Sequence, residues 1–183
     1  MRATDEPLTR VVVEALHAND IAEHASAVVL DLLGGREARW RADEDIYPAS
    51  IIKLALMTEA YDRFASGSLS PDERVVVARA NLTATSEPTP LVEGFAARLR
   101  ELVELMIERS DNIATNQLID VLDRERVTAA MRAHGLPHFH LGRKLSGSEP
   151  LVEGVDVGER NSMRPIETAQ LLRLIADDAV PAA

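Results

Sequence analysis

The sequence predicts an α+β fold dominated by helix. Three observations predict it: a β-branched run closed by Gly34-Gly35, a series of helical segments between residues 50 and 134, and a last helix opened by Pro165 after a long aperiodic stretch. The 183 residues suit one domain, and 46% of them are apolar, enough for a real core.

Taken in order, residues 7–19 read as a first helix, with Pro7 in its N-terminal turn and Val11 and Leu16 on an apolar face. Residues 26–33 (SAVVLDLL) are β-branched and apolar. After Gly34-Gly35 a second short run covers 36–41, which is a hairpin signal. Residues 43–48 are a loop. Residues 50–64 (SIIKLALMTEAYDRF) read as a helix in which Ile51, Ile52, Leu54, Leu56 and Met57 leave almost no polar face apart from Lys53. A helix apolar all round is a buried one. Gly67 and Ser70-Pro71 mark a loop. Residues 96–108, 113–123 and 124–134 are amphipathic helices; Ser110-Asp111-Asn112 separates the first two and Gly135 ends the third. Residues 136–164 lack periodicity and read as one long loop, of a length that is uncommon without a function. Pro165 opens a helix to about Ile175. The whole of 1–183 is expected to be one unit: helix and hairpin 7–41, helical lobe 50–135, loop 136–164, helix 165–176.

Composition removes several functions. The formal net charge is −10, so neither nucleic acid nor an anionic membrane is an expected partner, since both require a basic face. No apolar run has the length of a membrane span, and residues 1–10 lack the apolar core of a signal peptide. The chain as written is therefore expected to be soluble and cytoplasmic. With no cysteine there is no disulfide and no thiol nucleophile. His138 and His140 lack a third ligand nearby, so no metal is expected and both read as surface residues. No glycine-rich phosphate loop is present, and no cofactor is expected. Trp40 and Tyr47 read as packing.

Chemistry is concentrated in Ser50-Ile51-Ile52-Lys53. Three residues apart on a helix means one face, one turn along. Ser50 stands at the expected helix start, where its hydroxyl is exposed and free backbone N–H groups can hold an oxyanion. Lys53 lies one turn inward among isoleucines and leucines, where desolvation favours the neutral amine and makes it a base. Arginine stays protonated and cannot do this. The chain holds eighteen arginines and only two lysines, Lys53 and Lys144, so the choice of lysine is informative. The competing reading makes Ser50 an N-cap and lets Lys53 reach solvent. Ser110-Asp111-Asn112 likewise reads either as a cap or as a proton-passing hydroxyl with an amide that holds substrate.

Together these two motifs resemble the set that marks serine β-lactamases and penicillin-binding proteins. YPASIIKLALMTEAYDRFASGSLSPDERVVV is similar to the family's nucleophile segment, and LVELMIERSDNIATNQLIDVL to its second segment, at a matching separation. SAVVLDLLGGREARW resembles the first two strands. GERNSMRPIETAQLLRLI resembles the end of the omega-shaped loop and the helix after it. The likeness spans about residues 8–175 and is that of a class A-like serine hydrolase, whose members are often exported. It implies a β-lactamase/transpeptidase-like fold: a helical lobe beside an antiparallel sheet, of which only the first hairpin is clearly encoded. It implies Ser50 as the acylated nucleophile, Lys53 as the amine that takes its proton directly or through water, Ser110 as relay to the leaving nitrogen and Asn112 as a ligand of the substrate amide. The Ser50 N–H would be half of the oxyanion hole. The partner implied is a β-lactam or a peptide-like amide.

Two departures from the family are visible. Where the family carries an Arg-Trp-Glu-type segment, this chain has Arg143-Lys144-Leu145, so the position of the deacylating glutamate holds Leu145. Glu149 is the nearest acid that could substitute, with Glu153 a weaker candidate; the competing reading makes both solvated loop acids. The family's loop-bracing arginine–aspartate pair becomes Arg143 opposite Asn161, a brace expected to be weaker. The third motif, Lys-Thr-Gly or a relative on a later strand, is absent, because the chain contains neither Lys-Thr nor Lys-Ser. A second chain or a further segment is expected to complete the sheet. The alternatives to a turning-over enzyme are a penicillin-binding-type protein that stays acylated and a non-catalytic relative.

Overall fold

The computed structural model describes residues 5–85, 87–146 and 158–177. Its elements are α1 (Glu6–Ala18), β1 (Ala27–Leu30), β2 (Glu37–Trp40), α2 (Ile52–Ala65), β3 (Arg74–Val76), β4 (Ala96–Arg98), α3 (Leu99–Glu108), α4 (Asn112–Leu122), α5 (Arg124–Ala133) and α6 (Pro165–Ala176). Helix thus dominates an α+β architecture.

Local chemistry sets the ends of these elements. The Asp5 side chain accepts from the Leu8 N–H at 2.8 Å, and Pro7 fills the first turn of α1. Glu101 reaches back to the Arg98 N–H at 2.8 Å and fixes the start of α3. Asp111 caps α4 through the Ala114 N–H at 2.9 Å. Asp123, at φ +68°, ends α4 and caps α5 through the Arg126 N–H. Gly135 ends α5 at φ +91°, where a Cβ would lie 2.5 Å from the Gln170 amide of α6. A side chain there would displace the Gln170 amide, and the positive φ would strain its backbone.

The expected hairpin forms. β1 and β2 pair antiparallel with Ala27 opposite Trp40 and Leu30 opposite Glu37. α1 packs on β2 and α6 on β1. Trp40 is half-buried; its indole N–H donates to the Ala22 carbonyl at 3.0 Å and its ring meets His17 edge-on. α2 runs through the centre of the helical lobe, against α3, α4 and α5, and Ile52, Leu56, Leu102, Met106, Leu118 and Met131 there are fully buried. Burying six such side chains contributes on the order of 10 kcal/mol before ordering costs.

Four expectations need correction. Residues 96–98 are not the start of a helix: Ala96–Arg98 is a strand that pairs antiparallel with Arg74–Val76, a second small sheet. Alanine and arginine favour helix locally, but pairing with a segment 22 residues away prevails. Residues 49–51 form a 3-10 turn, and the regular helix starts only at Ile52. α2 is not apolar throughout its buried face, since Thr58 and Glu59 are buried on it. Glu59 is satisfied by Arg63 at 2.5 Å, and Arg63 also donates to the Leu122 carbonyl at 2.7 Å, tying α2 to α4. Tyr47 is not packed inside. It is exposed, with the Arg160 guanidinium 4.8 Å from its ring centre.

The stretch read as one loop has structure where it is described. His140 and Ser162 exchange two backbone hydrogen bonds at 3.0 Å, and Ile46 does the same with Met163 at 3.1 Å. The first described part of the stretch thus lies against its last part, which in turn docks beside residue 46. Glu149 and Glu153 lie outside the described residues.

Candidate active site

The 3-10 turn raises Ser50 to the surface at the head of α2, and Lys53 lies one turn inside it, 3% exposed. The residue before the serine, Ala49, sits at φ +46°, a left-handed conformation that costs an alanine about 1 kcal/mol. Ser110 stands at φ +54° in the tight corner between α3 and α4. The backbone is strained on both sides of the site, and the surrounding packing holds it there.

These two corners converge. The Ser50 Oγ lies 3.0 Å from the Ser110 Oγ. The Lys53 Nζ donates to the Ser110 Oγ at 2.8 Å, to the Ser110 carbonyl at 2.7 Å and to the Asn112 Oδ1 at 3.0 Å. Burial pulls the Lys53 ammonium down to a pKa of about 8, against a smaller upward pull from the Asp111 carboxylate. The hydrogen-bonded path from Ser50 to the amine therefore passes through Ser110. Asn112 uses its other end as well: its Nδ2 donates to the Ala84 carbonyl at 3.0 Å. The Ala84 segment is thus a wall beside Asn112, which sequence reasoning missed.

A second wall, along α4, comes from residues 142–146. Leu145 is buried in the core, 5% exposed. Its backbone is gripped by Asn116 of α4, whose Oδ1 accepts from the Leu145 N–H at 2.8 Å and whose Nδ2 donates to the Leu145 carbonyl at 2.9 Å. Leu145 therefore brings no acid or base to the site. Asn161 is fully buried and braces the same loop through its backbone: its Oδ1 accepts from the N–H groups of Gly142 and Arg143 at 2.8 and 2.9 Å, and its Nδ2 donates to the Arg143 carbonyl at 3.0 Å. Asn161 thus meets Arg143 through its backbone, with three hydrogen bonds that hold the loop without a charged partner.

The histidines lie apart from this site. The His138 ring and backbone N–H both meet the buried Glu167 carboxylate, at 2.8 and 2.9 Å. His140 stands 3.3 Å from Glu159. Among the described residues, no group of three His, Cys, Asp or Glu is placed to hold a metal, and no helix is long and apolar enough to cross a membrane.

Residues 7–182 match the model of the beta-lactamase enzyme family. No curated protein matches the chain. Among solved structures, a beta-lactamase from Sphaerobacter thermophilus is similar at 27% identity and a TM-score of 0.78, over 92% of this chain and 63% of that one. An ancestral class A beta-lactamase follows at 26% and 0.77, over 93% and 66%. PBP-A shares the fold at 18% identity and 0.80, over 98% and 64%. The chain thus spans about 63 to 66% of the length of these structures. With nearly all of its length matched and the fold shared, the chain belongs to the beta-lactamase enzyme family.

Proposed function

We propose that Ser50 is the nucleophile of a serine hydrolase that forms an acyl-enzyme with a β-lactam or a related amide. The observation that carries this reading is the unbroken contact from Ser50 Oγ through Ser110 Oγ to the Lys53 Nζ, with that amine's pKa brought near neutrality. In its neutral form Lys53 accepts the Ser110 proton while Ser110 accepts that of Ser50. The Ser50 oxygen attacks the carbonyl carbon, the C–N bond breaks, and the proton returns through Ser110 to the leaving nitrogen. The Ser50 N–H is the proposed donor to the oxyanion, and Asn112 the ligand of the substrate amide. A PBP-A variant similar to this chain in fold was solved as an acyl-enzyme complex with penicillin G. A second oxyanion donor and a cation for the substrate carboxylate are proposed to come from a further segment or a second chain.

One observation favours slow turnover within this reading. The place that the family likeness assigns to the deacylating glutamate holds a buried leucine. We place the chain with proteins that acylate readily and release slowly. Intact-mass spectrometry of the full-length protein after exposure to penicillin G tests the reading. It predicts one added penicillin on a peptide containing Ser50, absent from Ser50→Ala. An unmodified full-length protein, or equal labelling of Ser50→Ala, would overturn it.

A further inference from the structure

The chain has only two lysines, and the proposed chemistry uses one. The other, Lys144, lies in the second wall along α4 with its side chain 10% exposed. Its Nζ stands 2.6 Å from the Asp120 Oδ1 of α4 and donates at 2.6 Å to the Asn81 Oδ1 in the first wall. Asn81 is fully buried, and its Nδ2 donates to the Asp120 Oδ2 at 2.8 Å and to the Gln117 Oε1 at 2.9 Å. Gln117 Oε1 also accepts the Ala78 N–H at 3.0 Å.

Asn112, Asn116 and Asp120 are spaced at i, i+4 and i+8, one stripe along α4. Each member is bonded to the segments that face it. Asn112 holds the Ala84 carbonyl. Asn116 holds both backbone groups of Leu145 and lies 3.5 Å from the Asn81 carbonyl. Asp120 holds Asn81 and Lys144. Thr83 closes the gap directly by donating to the Ser146 carbonyl at 2.7 Å. The inner end of the stripe meets Lys53; the outer end is fixed by Lys144.

We propose that Lys144 is a positioning residue: with Asn81 and Asp120 it latches segment 78–85 to segment 142–146 at the outer end of α4, and so holds both walls in place along the stripe that ends at Asn112. A compact ammonium fits between two oxygens from different elements; the longer planar fork of arginine does not. The proton path lies at the opposite end of the α4 stripe, at Ser50, Ser110 and Lys53, so loss of the Lys144 bonds to Asn81 and Asp120 is expected to loosen the walls and leave that path in place. The kinetic consequence rests on the reading of Ser50 as an acylated nucleophile; the latch itself does not.

Amide hydrogen exchange and penicillin acylation kinetics are measured on the full-length protein, Lys144→Met, Lys144→Arg and Asp120→Asn. In Lys144→Met the Leu145 and Ala78 amides exchange about tenfold faster, while those of α3 and α5 keep their rates. Penicillin binding before acylation weakens about tenfold, and the saturating acylation rate and its pH profile stay as in the parent. Lys144→Arg fails to restore either. Asp120→Asn, at a half-exposed residue that tolerates change, shows the same pattern to a lesser degree. Unchanged exchange at Leu145 and Ala78 would overturn the proposal. So would a parallel fall in binding and saturating rate, which is what general destabilisation gives. If the parent takes up no penicillin, the reading of Ser50 fails, and the exchange rates alone decide the role of Lys144.

Discussion

The Ser50 corner and the Leu145 wall are both anchored on α4, and they are built in opposite ways. At the corner, polar atoms face one another across a short path, and burial brings a lysine pKa to about 8. At the wall, the polar atoms of Asn116 and Asn161 are consumed by backbone, and the side chain turned into the core is apolar. One region gathers hydroxyls around a buried amine; the other spends its polarity on rigidity. Under the proposed function, the difference teaches that forming an ester and hydrolysing it make separate demands, of which this chain is expected to meet the first and not the second.

The comparison can be broken at the corner first. Lys53→Met is expected to slow acylation by roughly two to four powers of ten, read from the rate of adduct formation. Lys53→Arg is expected to be no better, because guanidinium keeps its proton. If Lys53→Arg acylates at the parent rate, the lysine is not a base.

At the wall, Leu145→Glu is expected to speed loss of the adduct by about a hundredfold, followed by mass after excess penicillin is removed. It should also lower Tm, since it puts a carboxylate where the parent buries an apolar side chain. Unchanged adduct lifetime in a folded Leu145→Glu would show that this wall does not face the ester.

The buried lysine also marks stability. Its folded pKa lies below the ordinary value of 10.5, so between about pH 8 and 10.5 the unfolded chain holds more protons than the folded one. Stability contributed by this group therefore rises with pH through that window and is flat below it. Denaturant unfolding of the parent and Lys53→Met across pH 7 to 11 isolates the term, since other titrations are common to both. A constant difference would mean that Lys53 is not desolvated.

The smallest expected effect comes from Asp111→Asn. Asparagine keeps the cap on Ala114 but removes the charge that pulls the Lys53 pKa upward. The pH profile of acylation is expected to move to lower pH, by a fraction of a pH unit. A move to higher pH would contradict the assigned cause.

What the sequence revealed follows from range. Ser50 and Lys53 were legible because a three-residue spacing on a helical turn sets them on one side and the resemblance marks them, and the hairpin because Gly34-Gly35 punctuates two adjacent runs. Asp111-Asn112 marked the start of α4 by cap chemistry. β3 and β4 were hidden because each is three residues long and its partner is distant in sequence. The structure of 136–164 was hidden because isolated bridges such as His140 to Ser162 leave no periodicity. The Asn112, Asn116 and Asp120 stripe was there to be read, since polar residues at every fourth place along a mostly buried helix need partners. What could not be read was that Asn81 and Lys144 supply them.

The contrast between corner and wall is tested most directly by the lifetime of the penicillin adduct. The full-length protein is acylated to completion, freed of excess penicillin and sampled over time by mass, with the modified peptide identified. The corner predicts rapid appearance of one adduct on Ser50, and the wall predicts that it persists for hours. An adduct on Ser50 that vanishes within seconds would contradict this, because a base for deacylation would then be present despite the buried Leu145.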